Sequence, residues 1–353
     1  MRILHINLER GWYGGESQTL YLMEGLRALG HENTLLARDN DIFIQRVRAK
    51  GFPVQVINKP FLVHGRRISH YDLVQTHEKR ALQLAVLWKY FHKSPIVYTR
   101  RLDYIPGKHV LNSFIYSNVD CLVAISEKIR SIMTDWGYAK ERIRVIPDSV
   151  SLDIKDFPED SMRLRQRFQG KKVIGCVASL VRHKDHDTLI EAAAIIRRHR
   201  DDVVFILVGD GVLREALELK VRKLGLENIV FEGYQHNPYP YYGIFDVFTM
   251  TSREEGLGSS ILEAYLYRVP VVATTAGGIP DIVKDHETGL LVPVENPHML
   301  AQGLLRMLDD EDLRLHCAQK AYASLEQRFT IETMSRSYES LYHVLADRGS
   351  VCV

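Results

Sequence analysis

The sequence predicts an α/β protein built from two doubly wound domains, each a parallel β-sheet covered by helices. Short β-branched and apolar runs alternate with amphipathic stretches along most of the chain, which is the pattern of repeated βαβ units. The chain has 353 residues, more than a single hydrophobic core usually organises. A polar stretch near the middle interrupts the alternation. Together these features favour two domains of similar architecture.

The first half begins with a strand directly after Met1, which differs from the charged and then apolar pattern of a signal peptide. The strands predicted in this half are Arg2–Asn7, Asn33–Ala37, Val54–Ile57, Leu73–Thr76, Ile96–Thr99, Cys121–Ile125 and Arg144–Ile146. The clearest helices between them are Gly15–Leu29, Arg80–Phe91 and Glu127–Trp136. The order of the elements predicts the first doubly wound sheet.

The second half restarts this series after a polar, acidic stretch with no sustained period, for which we predict a linker at 151–170. The strands that follow are Lys172–Ala178, Val203–Val208, Ile229–Phe231, Val247–Met250, Val271–Thr274 and Gly289–Val292. Helices are expected to start near Lys184, Val212, Gly258 and Ile279, and the last ~50 residues have a helical period. In doubly wound domains a ligand is expected at the carboxyl ends of the strands, here in a crevice between the domains.

The composition is that of an ordinary soluble protein, with 46% apolar and 25% charged residues. The apolar runs are too short to span a bilayer, and the four cysteines lack CxxC spacing, so free thiols in a reducing cytosol are expected. Residues 1–150 hold 22 Lys+Arg and 14 Asp+Glu, a balance of +8, which leaves −6 for the remainder. This asymmetry suggests that the first half faces something anionic, such as nucleic acid, a lipid surface or a phosphorylated acceptor.

The segment Ser252-Arg-Glu-Glu-Gly-Leu-Gly-Ser-Ser-Ile-Leu-Glu-Ala follows a predicted strand and opens a helix. Its glycines allow close backbone approach, and the amides near Ser259 and Ser260 would lie at a helix N-terminus, where an anion such as a diphosphate is favoured. Glu255 and Glu263 are carboxylates that can each accept two hydroxyl groups, as a sugar diol requires. Acidic residues in the first turn of any helix are the alternative interpretation.

This segment, with Tyr265-Leu-Tyr-Arg-Val-Pro after it, resembles the E-x7-E signature of retaining glycosyltransferases of family 4, which have the GT-B fold. Further matches follow the family's order along most of the chain. They are Gly14-Gly15-Glu16, Val123-Ala-Ile-Ser-Glu, Val208-Gly-Asp-Gly, Ala276-Gly-Gly-Ile-Pro and Thr288-Gly-Leu-Leu-Val-Pro. The resemblance implies two Rossmann-like domains that face each other across a cleft. The first domain, 1–150, would recognise the acceptor and include a last helix, 331–353, that crosses back to it. The second, 171–330, would bind the donor.

The resemblance also implies roles for individual residues. Glu263 would bind the nucleotide ribose, and Glu255 the donor sugar. Lys184 would bind the diphosphate and stabilise the negative charge that builds on it in the reaction. The glycines Gly14 and Gly15 would bring backbone to the donor phosphates or to the acceptor. The other donor contacts implied are Asp210 in the glycine turn, Tyr234 at the base, and the phosphate-binding backbone of Leu257, Gly258, Ser259 and Ser260.

Two positions depart from the family pattern. The family's arginine before the lysine is Ser179 here, and Arg182 either replaces it or is a solvated loop residue. The family's Asn-Gly before the linker is Asp148-Ser149, and serine is poorer than glycine at a positive φ, so a different local backbone is expected.

Two groups at strand ends of the first domain are further candidates. His77 resembles the family's histidine near the donor sugar, although a histidine there can also be a hydrogen-bonded loop residue. Arg100 and Arg101 would recognise the acceptor or form a solvated basic loop. No metal site is expected, because Asp39-Asn-Asp41 and Asp185-His-Asp187, which match the DxD pattern, are better explained as helix N-caps.

The family function implied is a hexosyl-type transferase (EC 2.4), retaining and metal-independent, with no cofactor. It would move a sugar from a nucleoside diphosphate to a lipid-linked, lipopolysaccharide or polysaccharide acceptor. A sugar-nucleotide epimerase and an inactive sugar-nucleotide-binding scaffold are the alternatives. A cytoplasmic enzyme, peripheral on the inner face of the cell membrane, is expected, with no nucleic-acid partner. Apolar Phe61-Leu-Val beside Arg66-Arg67 is the predicted membrane contact.

Overall fold

The structure is a computed structural model that describes residues 1–38, 42–57, 70–89, 91–153 and 157–348. The chain divides into two compact units. Unit 1 consists of Met1–Val150 and Phe329–Val353, and unit 2 is Ser151–Arg328. Each unit is an α/β assembly with one parallel sheet, as the alternation in the sequence predicts.

The described residues of unit 1 form a sheet of seven parallel strands. The strands are Arg2–Ile6 (β1), Glu32–Arg38 (β2), Val54–Ile57 (β3), Leu73–Thr76 (β4), Ile96–Arg100 (β5), Cys121–Ala124 (β6) and Ile143–Val145 (β7). Their order in the sheet is β3-β2-β1-β4-β5-β6-β7. The strand order reverses between β1 and β4, so the carboxyl ends of these two strands form the switch point at which doubly wound sheets bind ligands.

The helices of unit 1 connect consecutive strands, and one more lies after unit 2 in the chain. They are Gly14–Ala28 (α1), Ile42–Ala49 (α2), Lys79–Trp88 (α3), Val110–Ser117 (α4), Glu127–Trp136 (α5) and Ile331–Arg348 (α14). Each of the three helices predicted most clearly is present, with ends shifted by three residues or fewer.

Unit 2 repeats the arrangement, with six parallel strands in the part of it that the structure describes. The strands are Lys172–Val177 (β8), Val203–Val208 (β9), Ile229–Gly233 (β10), Val247–Met250 (β11), Val271–Thr274 (β12) and Leu290–Val292 (β13). Their order in the sheet is β10-β9-β8-β11-β12-β13. The helices are Pro158–Arg167 (α6), His186–Arg197 (α7), Arg214–Lys223 (α8), Tyr239–Tyr242 (α9), Ser259–Leu266 (α10), Ile279–Ile282 (α11), Pro297–Asp309 (α12) and Glu311–Arg328 (α13). Here the switch point lies between β8 and β11.

The last helix, α14, belongs to unit 1 although it follows unit 2 in the chain. Its apolar face joins the core of unit 1, where Tyr338 and Tyr342 are fully buried and bond to Thr99 and Gln75. Gly25 of α1 lets the two helices pack closely, because a Cβ there would lie 1.9 Å from Ser335 Oγ. The predicted fold class is confirmed, including the return of the last helix.

The stretch 151–170 differs from the predicted linker, because its second part forms α6. Pro158 starts this helix, and acidic residues occupy its first turn, both of which favour a helix start. The helix packs within unit 2: Ser161 Oγ donates to Pro240 O at 3.0 Å, and Arg167 pairs with Glu232. Because this stretch is polar and has no sustained apolar period, the sequence does not predict that it packs as a helix.

No helix of the described ranges is both long enough and apolar enough to cross a bilayer. Cys121, Cys176 and Cys317 are buried free thiols, as predicted, and Cys352 lies outside the described residues. Burial raises the pKa of Cys317 to about 11, which favours the unreactive thiol form.

Candidate active site

The E-x7-E segment lies at the switch point of unit 2, where β11 ends and α10 begins. Gly258 adopts φ +97° directly before the helix, a backbone conformation that favours glycine. In the described structure no side chain caps α10, and its first turn presents the amides of Ser259 and Ser260. Leu257 is buried and anchors the loop. This geometry offers amides and a positive helix dipole to an anion.

Glu255 and Lys184 form an ion pair in unit 2. Lys184 Nζ donates to Glu255 Oε2, and Ser252 Oγ donates to the same oxygen at 3.0 Å. The two side chains are only 17% and 13% exposed. The lysine follows β8 and the glutamate follows β11, so the pair lies at the switch point. A cation and a carboxylate are thus held where the fold favours a ligand.

The turn that carries Lys184 is fixed to the β11 loop by side-chain bonds. Thr251 Oγ1 donates to the carbonyl of Lys184 at 3.0 Å, and Arg253 pairs with the buried carboxylate of Asp185 at 2.8 Å. Burial alone would raise the pKa of Asp185, but the hydrogen bonds from Arg253 and Thr188 outweigh it, so the pKa is lowered. Asp185 also caps α7, which confirms the N-cap interpretation of this DxD match. Asp187 instead pairs with Lys220, and the other DxD match, Asp39-Asn-Asp41, lies outside the described residues.

Glu263 lies in α10, one turn after the amides, and its carboxylate is fixed by a tyrosine. Tyr242 Oη donates to Glu263 Oε2 at 2.7 Å, and the tyrosine ring is buried against Phe248 and Tyr267. Burial raises the pKa of Glu263, and the bond from Tyr242 opposes this shift. Tyr242 is not predicted from the sequence, because its only signal there is an aromatic run after a proline.

The motif Ala276-Gly-Gly-Ile-Pro supports the loop of Glu255. Gly277 has φ +50°, and a Cβ there would lie 1.8 Å from the carbonyl oxygen of Glu255. The next amide, of Gly278, donates to that same oxygen at 2.9 Å. Close backbone approach therefore explains why this motif contains glycine.

Three further donor candidates lie at strand ends of unit 2. Tyr234 follows β10, is 52% exposed and packs edge-on against His236. Asp210 follows β9, and its carbonyl accepts from Leu180 while its carboxylate pairs with Arg214. Arg182 is exposed and has no side-chain partner among the described residues, so its proposed replacement of the missing arginine stays a prediction.

In unit 1 the glycine pair starts α1, after β1. Gly14 is the first residue of the helix, and a Cβ at Gly15 would meet nothing within 4 Å. Open space beside Gly15 leaves its backbone accessible. Glu16 closes the turn, because its carboxylate accepts from the amide of Tyr13 at 2.9 Å.

His77 follows β4 on the other side of the switch point of unit 1. The ring is 4% exposed, and its Nε2 lies 3.1 Å from Nδ1 of His5, a buried residue of β1. Burial lowers the pKa of His77 well below its usual value, and the electrostatic interactions with His5 and Arg101 add to this shift. His77 is therefore a neutral imidazole at physiological pH. His5 is not predicted from the sequence as a site residue, because a histidine inside a strand gives no separate signal.

The structure separates the roles of Arg100 and Arg101. Arg100 is 1% exposed, and its guanidinium bonds to Tyr116 Oη at 3.0 Å and to the carbonyl of Tyr104. It stabilises the interior of unit 1, so the acceptor-side prediction does not hold for it. The β5 strand is one residue longer than predicted and carries this side chain inwards.

Arg101 pairs instead with Asp148, one of the two departures from the family pattern. Its Nε lies 3.1 and 3.2 Å from the two carboxylate oxygens, and both side chains are largely buried. An asparagine could not supply this charge, which explains the aspartate here. Ser149 does not adopt a positive φ, and its backbone is held by Gln18 at 2.9 and 2.6 Å.

Two family models match the chain over nearly its whole length. Residues 12–154 match the model described as Glycosyltransferase Family 4, and residues 159–324 match Glycosyl transferases group 1. The lipopolysaccharide core biosynthesis glycosyltransferase LpsE of Rhizobium meliloti (strain 1021) is 26% identical, over 97% of this chain and 98% of that protein.

Solved structures establish the same fold. Anabaena HepE, in complex with UDP and glucose, superposes with a TM-score of 0.88 at 23% identity, covering 98% of this chain and 100% of that chain. A glycosyltransferase from Rickettsia africae ESF-5 gives a TM-score of 0.86 at 20% identity, over 98% and 99% of the two chains. The two parallel-sheet units therefore have the GT-B fold, and the two family models identify the chain as a glycosyltransferase.

The chain belongs to glycosyltransferase family 4. The family resemblance of the E-x7-E segment and the prediction of an EC 2.4 enzyme are thereby confirmed.

Proposed function

We propose that the protein transfers a hexose from a nucleoside diphosphate sugar to a hydroxyl of a lipopolysaccharide, lipid-linked or polysaccharide acceptor, with retention of anomeric configuration. The observation that carries this proposal is the Lys184–Glu255 pair beside the first turn of α10. The acceptor class follows LpsE, whose name places it in lipopolysaccharide core biosynthesis. The UDP and glucose in the HepE structure support the donor class.

Each charged group at the switch point of unit 2 that the resemblance singles out has a role in this reaction. The amides of α10 and Lys184 stabilise the diphosphate as its bond to the sugar breaks, and charge stabilisation of this kind is a large catalytic term. Glu263 accepts hydroxyl groups of the ribose. Glu255 accepts hydroxyl groups of the sugar. The leaving phosphate takes the proton of the acceptor hydroxyl, which attacks from the same face, so the configuration is retained.

The test starts from the donor. A thermal-shift panel of UDP, GDP and ADP should identify the nucleotide, because a ligand of the native state raises the melting temperature. Slow hydrolysis of the matching sugar nucleotide, with the anomer of the released sugar followed by NMR, then supports a retaining transferase. Release of a different sugar epimer would indicate the epimerase, and binding without any turnover would indicate the scaffold.

We propose that the reaction needs no metal, and we expect transfer activity to persist in EDTA. Lys184 supplies a cation for the diphosphate, and the carboxylates of Asp185 and Asp187 are engaged by Arg253 and Lys220. In the described ranges, ligand atoms of His31, Glu339 and His343 approach within 4.8 Å. His31 precedes the amino end of β2 and the other two residues lie in α14, so this group is not at the carboxyl ends of β1 and β4. Complete loss of activity in EDTA, restored by Mg²⁺ or Mn²⁺, would contradict the proposal.

We also propose that unit 1 contacts an anionic membrane that carries the acceptor. The membrane contact predicted from the sequence, Phe61 to Val63 with Arg66-Arg67, lies outside the described residues. A second surface lies between 102 and 114, where six large apolar side chains are 45 to 87% exposed. They are Leu102, Tyr104, Ile105, Val110, Leu111 and Phe114. Exposed Lys108 lies within this surface, and residues 1–150 carry the +8 balance.

Sedimentation with vesicles tests this surface. The protein should pellet with phosphatidylglycerol vesicles at low salt, and less in high salt or with phosphatidylcholine, because each basic residue contributes about 1 kcal/mol near an anionic surface. Leu111→Ser/Phe114→Ser should reduce pelleting, since these side chains would insert. Val212→Ser, which changes an 89% exposed valine of unit 2, is the control. Equal recovery of all variants in the supernatant would contradict the membrane proposal.

A further inference from the structure

A chain of buried polar side chains runs from the interior of unit 1 to His77. His5 Nδ1 lies 3.1 Å from His77 Nε2, and His5 Nε2 lies 2.9 Å from Asn33 Oδ1. His5, Asn33 and His77 are each at most 5% exposed. Since water has almost no access to these atoms, each of them must obtain its hydrogen-bond partner from the protein or from a ligand.

Asn33 determines which atom donates and which accepts in each of these hydrogen bonds. Its side-chain nitrogen donates to the carbonyl of His31 at 3.1 Å and to that of Met23 at 3.4 Å. Carbonyl oxygens only accept, so the amide group, and not the amide oxygen, must face them. The oxygen Oδ1 therefore faces His5 and requires a proton on His5 Nε2.

The remaining protons follow from this assignment. Burial lowers the pKa of His5 to about 4, although the bond to Asn33 opposes the shift, so the ring is neutral and holds one proton. With that proton on Nε2, His5 Nδ1 can only accept. His77 must donate from its Nε2, and because His77 is also neutral, its Nδ1 carries a lone pair.

That lone pair has no partner in the described part of the chain. His77 Nδ1 is buried and unbonded, and so is Nη1 of Arg101, the residue whose charge acts on His77. A buried acceptor without a donor is unfavourable, because nothing replaces the hydrogen bond that it makes to water. A hydroxyl group can give its proton to the imidazole and accept from a guanidinium, so it suits this pair of groups.

We infer that Asn33 and His5 are positioning residues that hold His77 as the Nε2–H tautomer, with Nδ1 ready to accept a hydrogen bond from a substrate sugar hydroxyl. The sugar part of this inference rests on the proposed function, whereas the tautomer does not. The hydrogen bonds from Asn33 through His5 to His77 provide a nitrogen acceptor that stays unprotonated in mildly acidic solution. His5 on β1 and Arg101 after β5 are the charged or titratable neighbours that act on His77 most strongly.

The test is ¹⁵N NMR of the full chain labelled at histidine, with long-range couplings that distinguish protonated from unprotonated ring nitrogens. In the ligand-free protein at pH 6 to 8 we expect a protonated Nε2 and an unprotonated Nδ1 for both His5 and His77, assigned from His5→Phe and His77→Phe. A protonated Nδ1 of His77, or a doubly protonated ring, would overturn the inference.

UDP-glucose, GDP-mannose and ADP-glucose are then each compared with the free nucleoside diphosphate. The sugar nucleotide that binds should change the Nδ1 resonance of His77, and the diphosphate alone should not. Binding without that change would overturn the hydroxyl role. If none of the three sugar nucleotides binds, the proposed donor fails instead, while the tautomer is still read from the ligand-free spectra.

Substitutions separate positioning from structural support. His5→Phe keeps an aromatic side chain but removes the nitrogen that accepts from His77, so His77 should no longer be held in a single tautomer. We expect kcat/KM to fall roughly tenfold, as for the loss of one hydrogen bond that positions a residue. His5→Gln can still accept from His77 and donate to Asn33, and should recover most of the activity and the tautomer. The melting temperatures of both variants show whether they are folded like the wild type. If His5→Phe is folded and changes neither the ring-nitrogen spectrum of His77 nor the kcat/KM of the enzyme, the positioning role is wrong.

Discussion

Glu263→Ala is expected to weaken nucleoside diphosphate binding on the order of 100-fold, because two hydrogen bonds from ribose hydroxyls to a carboxylate would be lost. The carboxylate is already oriented by Tyr242, so little ordering is needed when a diol binds. Isothermal titration with the nucleotide identified by thermal shift measures the effect. Affinity should also fall as the pH is lowered, since burial raises the pKa of Glu263 and the protonated form loses acceptor capacity.

A double-mutant cycle isolates the ribose contact. The 2′,3′-dideoxy nucleotide should bind wild type more weakly than the ribonucleotide does, and Glu263→Ala should bind both equally. Tyr242→Phe is the matched variant: it keeps the carboxylate, removes its tyrosine bond, and should weaken binding by only about tenfold. If Glu263→Ala still discriminates between the two sugars as strongly as wild type does, the ribose assignment is wrong.

The fold could be predicted because both sheets are parallel and buried. Strands of this kind are continuous apolar runs, so each predicted strand is present in the structure, with ends shifted by two residues or fewer. Two helices that were not identified, α4 and α6, lack a clear polar face or a strong apolar one. In α4 apolar Val110, Leu111 and Phe114 are exposed while Ile115 and Tyr116 are buried, and α6 has no buried residue at all. Neither gives an interpretable period.

The site could be predicted only as far as single residues at strand ends. Sequence motifs identified Glu255, Glu263, Lys184 and His77, and the strand order explains why they lie at the two switch points. Their partners come from distant parts of the chain, and no spacing rule connects them. The pairs are Lys184 with Glu255, Glu263 with Tyr242, Asp185 with Arg253, Arg101 with Asp148 and His77 with His5. The roles of the residues in binding and turnover therefore remain proposals, and substitution tests them.

Lys184→Ala is expected to lower kcat by roughly 10²- to 10³-fold while changing donor affinity much less, because charge on the departing diphosphate is greatest in the transition state. The substitution also leaves Glu255 without its cation in a largely buried position, which should lower the melting temperature. Single-turnover kinetics and nucleotide titration measure the two effects separately.

The ion pair makes a second cause possible for such a loss, since an unpaired Glu255 could repel the diphosphate. Lys184→Met/Glu255→Gln removes both charges with similar shapes and distinguishes the two causes. If Lys184 stabilises the leaving group itself, this double variant stays as slow as Lys184→Ala. Lys220 is the matched control, because it also lies in an ion pair of unit 2, with Asp187 and Glu191, and Lys220→Ala should leave kcat unchanged. Recovery of turnover in the double variant would mean that Lys184 only neutralises Glu255, and the proposed electrostatic role would be wrong.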